Sequence, residues 1–212
     1  MLLQSLKSLT KFETKTLKAM SINPLYHKTS IRLDEEQGWI TRAKKDPSLF
    51  GPLYKEYHEQ IFRYIYQRMD DEELAFDVTS QVFMKALNNI HKYEFRGVPF
   101  SSWLYRIAKS ELYQAFRDKK AERTVNVESI HLFDVAEEFE EDTNERNKIL
   151  IYKCLALLKE SDIQLIEMRF FEKRNFKEIG EILEMTENNA KVKTFRALEK
   201  LKQLFANKQN RL

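Results

Sequence analysis

Apolar positions along most of this chain recur three and four residues apart, the period of a helix that buries one face. From Leu53, the positions Tyr54, Tyr57, Ile61 and Ile65 predict one such helix, ending near Met69. Glu72 to Ile90 repeats the pattern with Ala75, Val78, Val82, Ala86, Leu87 and Ile90. A second stripe on that helix, Asp77, Gln81, Met84 and Asn88, is polar apart from its methionine. A loop with Gly97 and Pro99 follows, and then Leu104, Ile107, Ala108, Leu112 and Ala115 mark a third helix. Ser101 or Ser102 is its expected N-cap, and its other face carries Arg106, Ser110, Tyr113 and Arg117. Upstream, Asp34, Glu35 and Glu36 precede Trp39 and Ile40 as an acidic helix start would. Pro47 and Pro52 punctuate before the next helix.

The period fails between Ala121 and Glu145, which reads as a linker even without Gly or Pro. It resumes from about Arg146 to Ala206, with stripes at Leu150, Cys154, Leu157 and Leu158, at Ile163, Ile166 and Phe170, and at Ile179, Ile182 and Leu183. Within this second lobe, Asn175 to Leu201 reads as a helix-turn-helix. Asn175 and Glu178 form an Asn-x-x-Glu capping pair, Glu184-Met185-Thr186 is the turn, and Thr186 caps a second helix that buries Phe195, Leu198, Leu201 and Phe205. Gly180, in mid-helix, costs about 1 kcal/mol relative to Ala, and a close helix crossing is the expected reason.

Composition supports the helical reading. The 212 residues include only 4 Gly and 4 Pro, where average usage gives about 15 and about 10, and hairpin-rich folds need both at their turns. The length suits one to two domains. The single Cys154 excludes an internal disulfide and a Cys-based zinc site, and His27, His58, His91 and His131 lie too far apart for a local ligand pair. No cofactor or metal is expected. No apolar run approaches the roughly 18 to 20 residues of a membrane span, and lysines interrupt the leucines of Met1 to Met20, unlike a signal peptide. A cytoplasmic protein without membrane insertion is the expectation. Residues 1 to about 33 read as a tail or short helix of no assigned task, with an internal start at Met20 as an equal alternative.

Charge distribution changes the picture more than net charge, which is +3. Lys92 to Lys120 holds seven basic and three acidic residues (+4), Glu187 to Leu212 seven and two (+5), and Ala121 to Glu145 one and nine (−8). Two basic blocks around an acidic strip suit two polyanion-facing surfaces, although solvated helix faces give the same count. On the second helix of the helix-turn-helix, Asn189, Lys193, Arg196 and Lys200 follow at spacings of four, three and four, with Asn188 and Lys191 beside them. Asn and Arg pair bidentately with adenine and guanine edges, and Lys holds phosphates, so this helix fits a major groove. No His-Glu-x-x-His, Gly-rich phosphate loop or Gly-x-Ser-x-Gly element occurs, so no enzymatic site is expected. On these residues alone, a stand-alone helix-turn-helix regulator binding duplex DNA as a dimer stays open.

Two separate stretches resemble conserved regions of bacterial sigma factors, the sigma-70 family, and within it the extracytoplasmic-function (ECF) group. Leu165 to Glu172, Phe176 to Leu183 and Glu187 to Leu198 are similar to the fourth region; Ala75 to Phe83 followed by Phe100 to Ala108 is similar to the second. The resemblance covers roughly residues 49 to 205. It implies an all-α fold of two small helical domains, a region 2 bundle over 34–120 and a helix-turn-helix region 4 over 146–206, joined by the acidic linker 121–145 and followed by a tail at 207–212. It further implies a subunit that binds core RNA polymerase, directs promoter-specific initiation and catalyses nothing itself. The stripe Asp77, Gln81, Met84 and Asn88 would dock on the clamp of the largest subunit, and the helices before the reading helix would grip the flap. The −10 element would fall to Tyr93, Phe95, Arg96, Arg106, Lys109, Tyr113 and Arg117, the loop residues Tyr93, Phe95 and Arg96 being the better candidates, while Phe100 and Trp103 suit core packing. The −35 element would fall to Asn188, Asn189, Lys191, Lys193, Arg196 and Lys200. An anti-sigma partner is a further implication for this group. Three departures from the family pattern occur: Ser80-Gln81 replaces a Gln-Glu pair, Lys159 a Pro, and Glu184 a turn Gly, the last at about 1 kcal/mol.

Overall fold

The structure, a computed structural model, describes residues 30–69, 71–118, 135 and 145–209. The tail before residue 30 and nearly all of the acidic linker lie outside the described residues. Eight α-helices form among the described residues, with no strand: α1 (Ser30–Lys45), α2 (Gly51–Tyr66), α3 (Glu72–Asn89), α4 (Phe100–Arg117), α5 (Glu145–Leu155), α6 (Glu160–Ile166), α7 (Phe176–Leu183) and α8 (Glu187–Gln209). The all-α expectation holds.

In the first lobe, α2, α3 and α4 pack against one another, and α1 lies across the turn that precedes α2. The predicted stripes supply the core: Leu53, Ile61, Ile65, Ala75, Val82, Ala86, Leu104 and Ala108 are fully buried. Tyr54 is the exception, remaining exposed with its ring edge-on to Phe83. Asp71 caps α3 by accepting from Leu74 N at 3.0 Å.

Two helix starts differ from expectation for one reason. α1 begins at Ser30, so Asp34 to Glu36 sit inside it and do not open it. Glu36 is buried, accepting from the Tyr57 hydroxyl and, at 3.1 Å, from the backbone N–H of Phe100. That carboxylate, from a different helix, satisfies a free donor at the start of α4. Ser101 and Ser102 are therefore not caps; both are buried inside the first turn.

A second apolar cluster joins Leu150, Ile151, Cys154 and Leu155 of α5 to Ile166, Phe170, Phe171 and to Ala197, Leu198, Leu201 and Phe205 of α8, with Val135 buried among them. Leu157, expected in this core, is exposed. The lobes do not stand apart. The first-lobe core continues into Leu165, Met168, Ile179, Ile182 and Ala190, and α7 packs along α4.

A buried polar network crosses this junction. Residues Glu167–Phe171 form a π-helical turn closed by a Glu172 N–H to Glu167 carbonyl bond of 2.9 Å. An i, i+5 bond sets residues 167 and 172 one wide turn apart, so both carboxylates reach the first lobe's Arg68, at 3.0 and 3.4 Å. Glu172 also accepts from the Tyr105 hydroxyl at 2.7 Å. Arg174 reaches Ser101 Oγ and Tyr105 Oη, each at 3.3 Å, and pairs with Glu178 at 3.0 Å. Burial alone would lower the pKa of Arg68 and of Arg174. Glu167 and Glu172 around the first, and Tyr105 and Glu178 around the second, outweigh it and hold both above the usual arginine value.

Candidate nucleic-acid and polymerase interfaces

The helix-turn-helix is built by local chemistry. Asn175 Oδ1 accepts from Glu178 N at 2.8 Å while Asn175 Nδ2 donates to Glu178 Oε1 at 2.7 Å, a reciprocal cap that fixes the start of α7. Glu184 ends α7 in the left-handed region, at φ 57° and ψ 50°. This reversal lets Met185 N–H bond to the Gly180 carbonyl at 2.8 Å. A Cβ on Gly180 would stand 2.7 Å from the Met185 carbonyl oxygen. The glycine is therefore required by the turn's own backbone folding over α7, not by a crossing helix. Thr186 Oγ1 then accepts from Asn189 N at 3.2 Å and caps α8.

With Ala190, Thr194, Ala197, Leu198 and Leu201 buried, α8 turns its other side outward. Asn188, Asn189, Lys191, Lys193, Arg196 and Lys200 are all exposed. Lys200 alone of the six has an ion-pair partner, Asp162 at 2.7 Å, and its side chain stays half exposed.

The loop 93–99 and α4 form a second basic surface. Phe95 and the Arg96 side chain are about half exposed, at 47% and 55%, and Arg117 is exposed. Lys109 and Tyr113 are half-buried. Gly97 turns the loop at φ +71°, in the region that favours glycine. Tyr93 corrects the expectation of an exposed loop aromatic: it is 4% exposed. Its ring lies 5.0 Å from that of Phe100 and 5.3 Å from that of Trp103. Burial first, then the charge of Glu36, pushes its hydroxyl well above the ordinary tyrosine value. Tyr93 is a core residue that fixes the loop's root, and Phe100 and Trp103 pack with it.

Contacts from the second lobe reach this surface. One oxygen of Glu181 on α7 lies 3.1 Å from Arg96 Nη1 and 3.4 Å from Arg106 Nη1. The Tyr113 hydroxyl donates to Glu160 and accepts from Gln164.

On α3, Asp77, Gln81, Met84 and Asn88 are all exposed along one face, with Met84 at 59%. Sequence reasoning missed the aromatic patch next to them. Phe76, 45% exposed, stacks on Phe62 at 4.2 Å, and Phe62 stacks on Tyr66. The available signal was an aromatic residue at position 76, one residue off the buried stripe. Among the described residues no cluster of ligating side chains could hold a metal, and no helix is long and apolar enough to cross a membrane.

Comparison with known proteins agrees with this architecture. Residues 53–122 match the Sigma-70 region 2 family and residues 154–203 match Sigma-70, region 4. The chain belongs to the sigma-70 family of RNA polymerase sigma factors, whose members are non-catalytic initiation factors, and to its ECF group. It is 25% identical over 168 residues to the ECF RNA polymerase sigma factor BldN of Streptomyces coelicolor, covering 78% of this chain and 64% of BldN. It is 27% identical over 154 residues to the ECF RNA polymerase sigma factor SigM of Bacillus subtilis, covering 72% of this chain and 93% of SigM. Among solved structures, CnrH in complex with the cytosolic domain of CnrY shares the fold, with a TM-score of 0.58 at 17% identity over 81% of this chain and 97% of that one.

Proposed function

We propose that this chain binds core RNA polymerase and directs initiation at promoters whose −35 element is read by α8 and whose −10 element is read by the loop 93–99 and α4. The observation that carries the reading is the outward face of α8. Six side chains with base-pairing or phosphate-binding chemistry stand exposed on one helix, which is capped and held at a fixed angle by the turn before it. Asn188, Asn189, Lys193 and Arg196 are assigned to bases or adjacent phosphates, Lys191 and Lys200 to phosphates. On the other lobe Phe95 supplies a stacking face, while Arg96, Arg106, Lys109, Tyr113 and Arg117 supply cations and hydrogen bonds for an opened strand. Tyr93 is left out of this set because it is buried.

The α3 face of Asp77, Gln81, Met84 and Asn88 is assigned to the polymerase clamp, and the aromatic patch of Phe62, Tyr66 and Phe76 extends it. The helices preceding α8 are assigned to the flap. CnrH is described in complex with the cytosolic domain of CnrY, and the sigma factor RpoE of Bartonella quintana in complex with the anti-sigma factor NepR, so an anti-sigma partner belongs to the proposal, as does action in the cytoplasm. The functional units are taken as 34–120 and 146–206, with 121–145 joining them.

Run-off transcription from a promoter library, using purified bacterial core polymerase with and without this protein and sequencing the start sites, tests the proposal. The expected result is a set of defined starts preceded by shared −35 and −10 sequences. Absence of start specificity, combined with a duplex shift by the protein alone, would instead establish a stand-alone regulator.

A further inference from the structure

We propose that Met84 is an oxidation switch: a peroxide converts its exposed thioether to the sulfoxide in the free chain and so weakens docking on the polymerase clamp. This inference rests on the assignment of the α3 face to polymerase. Met84 is 59% exposed, more than any other large apolar side chain among the described residues. Positions four apart share one line on a helix, and Phe76, Ser80 and Met84 follow at that spacing. Phe76 stacks on Phe62, so Met84 continues the line of the aromatic patch with only the small Ser80 between. Of the stripe Asp77, Gln81, Met84 and Asn88, Met84 alone offers a partner apolar contact.

The other described sulfur atoms are closed to an oxidant. Met69 and Met168 are fully buried, and Met185 is half-buried against the first-lobe core. Cys154 is fully buried too. Burial pushes its thiol above the ordinary value, against a smaller downward pull from Lys208, so little reactive thiolate forms. Sulfur oxidation follows exposure and, for thiols, thiolate character. Among the described residues, an oxidant that meets the folded chain therefore finds one accessible sulfur, and it lies on the surface assigned to polymerase.

The chemistry needs only the peroxide. A sulfur lone pair attacks one peroxide oxygen, and the S–O bond forms as the O–O bond breaks. Sulfur is oxidised by two electrons and the peroxide is reduced by two. The proton of the attacked oxygen passes to the leaving hydroxide, which departs as water. A flexible apolar side chain becomes a polar one. Its S=O oxygen is a strong acceptor, which costs free energy when an interface covers it without a donor. Val82, Phe83 and Ala86, which hold α3 in the core, face away from this change. Bound polymerase would cover the thioether, so the free chain is the oxidised species, and methionine sulfoxide reductases reverse the step.

The test exposes the full chain to dilute hydrogen peroxide and removes the peroxide with catalase before purified bacterial core polymerase is added. Peptide mass spectrometry locates the added oxygen, circular dichroism follows helicity, and fluorescence anisotropy gives the affinity for core. Met84 should gain oxygen before Met69, Met168 and Met185, with helicity unchanged and core affinity lowered about tenfold, the loss expected when one apolar contact side chain turns polar. Treatment with methionine sulfoxide reductases should restore the affinity. Met84→Leu has no oxidisable atom at this position, so its affinity, whatever its value, should be the same before and after peroxide. Met84→Gln, polar and of similar length, should reproduce the loss without oxidant. An equal peroxide effect in Met84→Leu overturns the switch, as does oxidation of a buried methionine ahead of Met84 or a loss of helicity alongside the loss of affinity. Met84→Gln binding core like the wild type removes Met84 from the clamp surface, and the switch with it. A weakened Met84→Gln beside a peroxide-insensitive wild type leaves the clamp assignment standing and removes the switch alone.

Discussion

The two basic surfaces of this chain have nearly the same chemistry and opposite circumstances. On α8, six polar and cationic side chains face solvent, and Lys200 alone of them has an ion-pair partner. On the loop 93–99 and α4, Arg96 and Arg106 are paired with Glu181 and Tyr113 with Glu160 and Gln164, all from the other lobe. The difference lies in what the opposite faces of the two helices bury. The inner side of α8 is apolar and packs against α5, α6 and α7 of its own lobe, with Ala190 joining the first-lobe core, so its polar side stays exposed. α4 is covered on two sides, by α2 and α3 within its bundle and by α7 from beyond it. A basic face signals affinity for an anion, and whether that anion is DNA or a carboxylate of the same chain depends on tertiary packing.

The largest effect expected from breaking this contrast is at Arg174. Arg174→Ala removes the arginine partner of the buried Glu178 carboxylate and the donors to Ser101 and Tyr105. Losing one partner of a buried pair costs about 3–5 kcal/mol, so the urea midpoint should fall sharply. Arg196→Ala, on the exposed face, should leave that midpoint within about 0.5 kcal/mol. It should instead weaken promoter binding by the polymerase complex about ten- to a hundredfold, since a bidentate base contact supplies about 1–3 kcal/mol of discrimination. A large stability loss at Arg196 would mean that α8 too is engaged within the chain.

An intermediate effect comes from proton release by two buried tyrosines, Tyr57 inside the first lobe and Tyr105 at the junction. Burial, followed by the charge of Glu36, holds Tyr57 well above its ordinary value, and burial with Glu172 does the same for Tyr105. For an acid whose folded pKa is raised, the stabilisation is complete below the unfolded value, about 10 for tyrosine, and is lost as pH rises from there through the folded value. The tyrosine contribution to stability should therefore be flat between pH 7 and 9 and decline steeply above about 10. Tyr57→Phe should flatten the decline in a denaturant titration followed by circular dichroism. An unchanged slope would place the alkaline transition elsewhere.

What the sequence reveals follows the range of the interactions. The caps at Asn175 and Thr186, the strained turn at Glu184 and the exposed faces of α3 and α8 are legible because each is set within four residues along the chain. The cap on α4 is not, since its acceptor, Glu36, is 64 residues away. Glu167, Glu172 and Arg174 sit between apolar stripe positions and look like solvent-facing charges. Only a π-turn and a facing Arg68 make them a junction. Tyr93 misleads for a related reason: a loop residue suggests exposure, yet its ring is covered by Phe100 and Trp103 from the following helix.

The smallest effect tests the reading face alone. Glu184 holds φ 57° where the family pattern has a glycine, and a residue with a Cβ pays about 1–2 kcal/mol in the left-handed region. Glu184→Gly relieves that strain and adds unfolded-state entropy, so the net gain should be a few tenths to about 1 kcal/mol in chemical denaturation. Glu184 is exposed and joins none of the hydrogen bonds that cross to the first lobe, so the −10 face should be unaffected. Scattering of the free chain should likewise stay as in the wild type. A change in compactness at this position would mean that the angle between α7 and α8, and not the junction network, sets how the lobes meet.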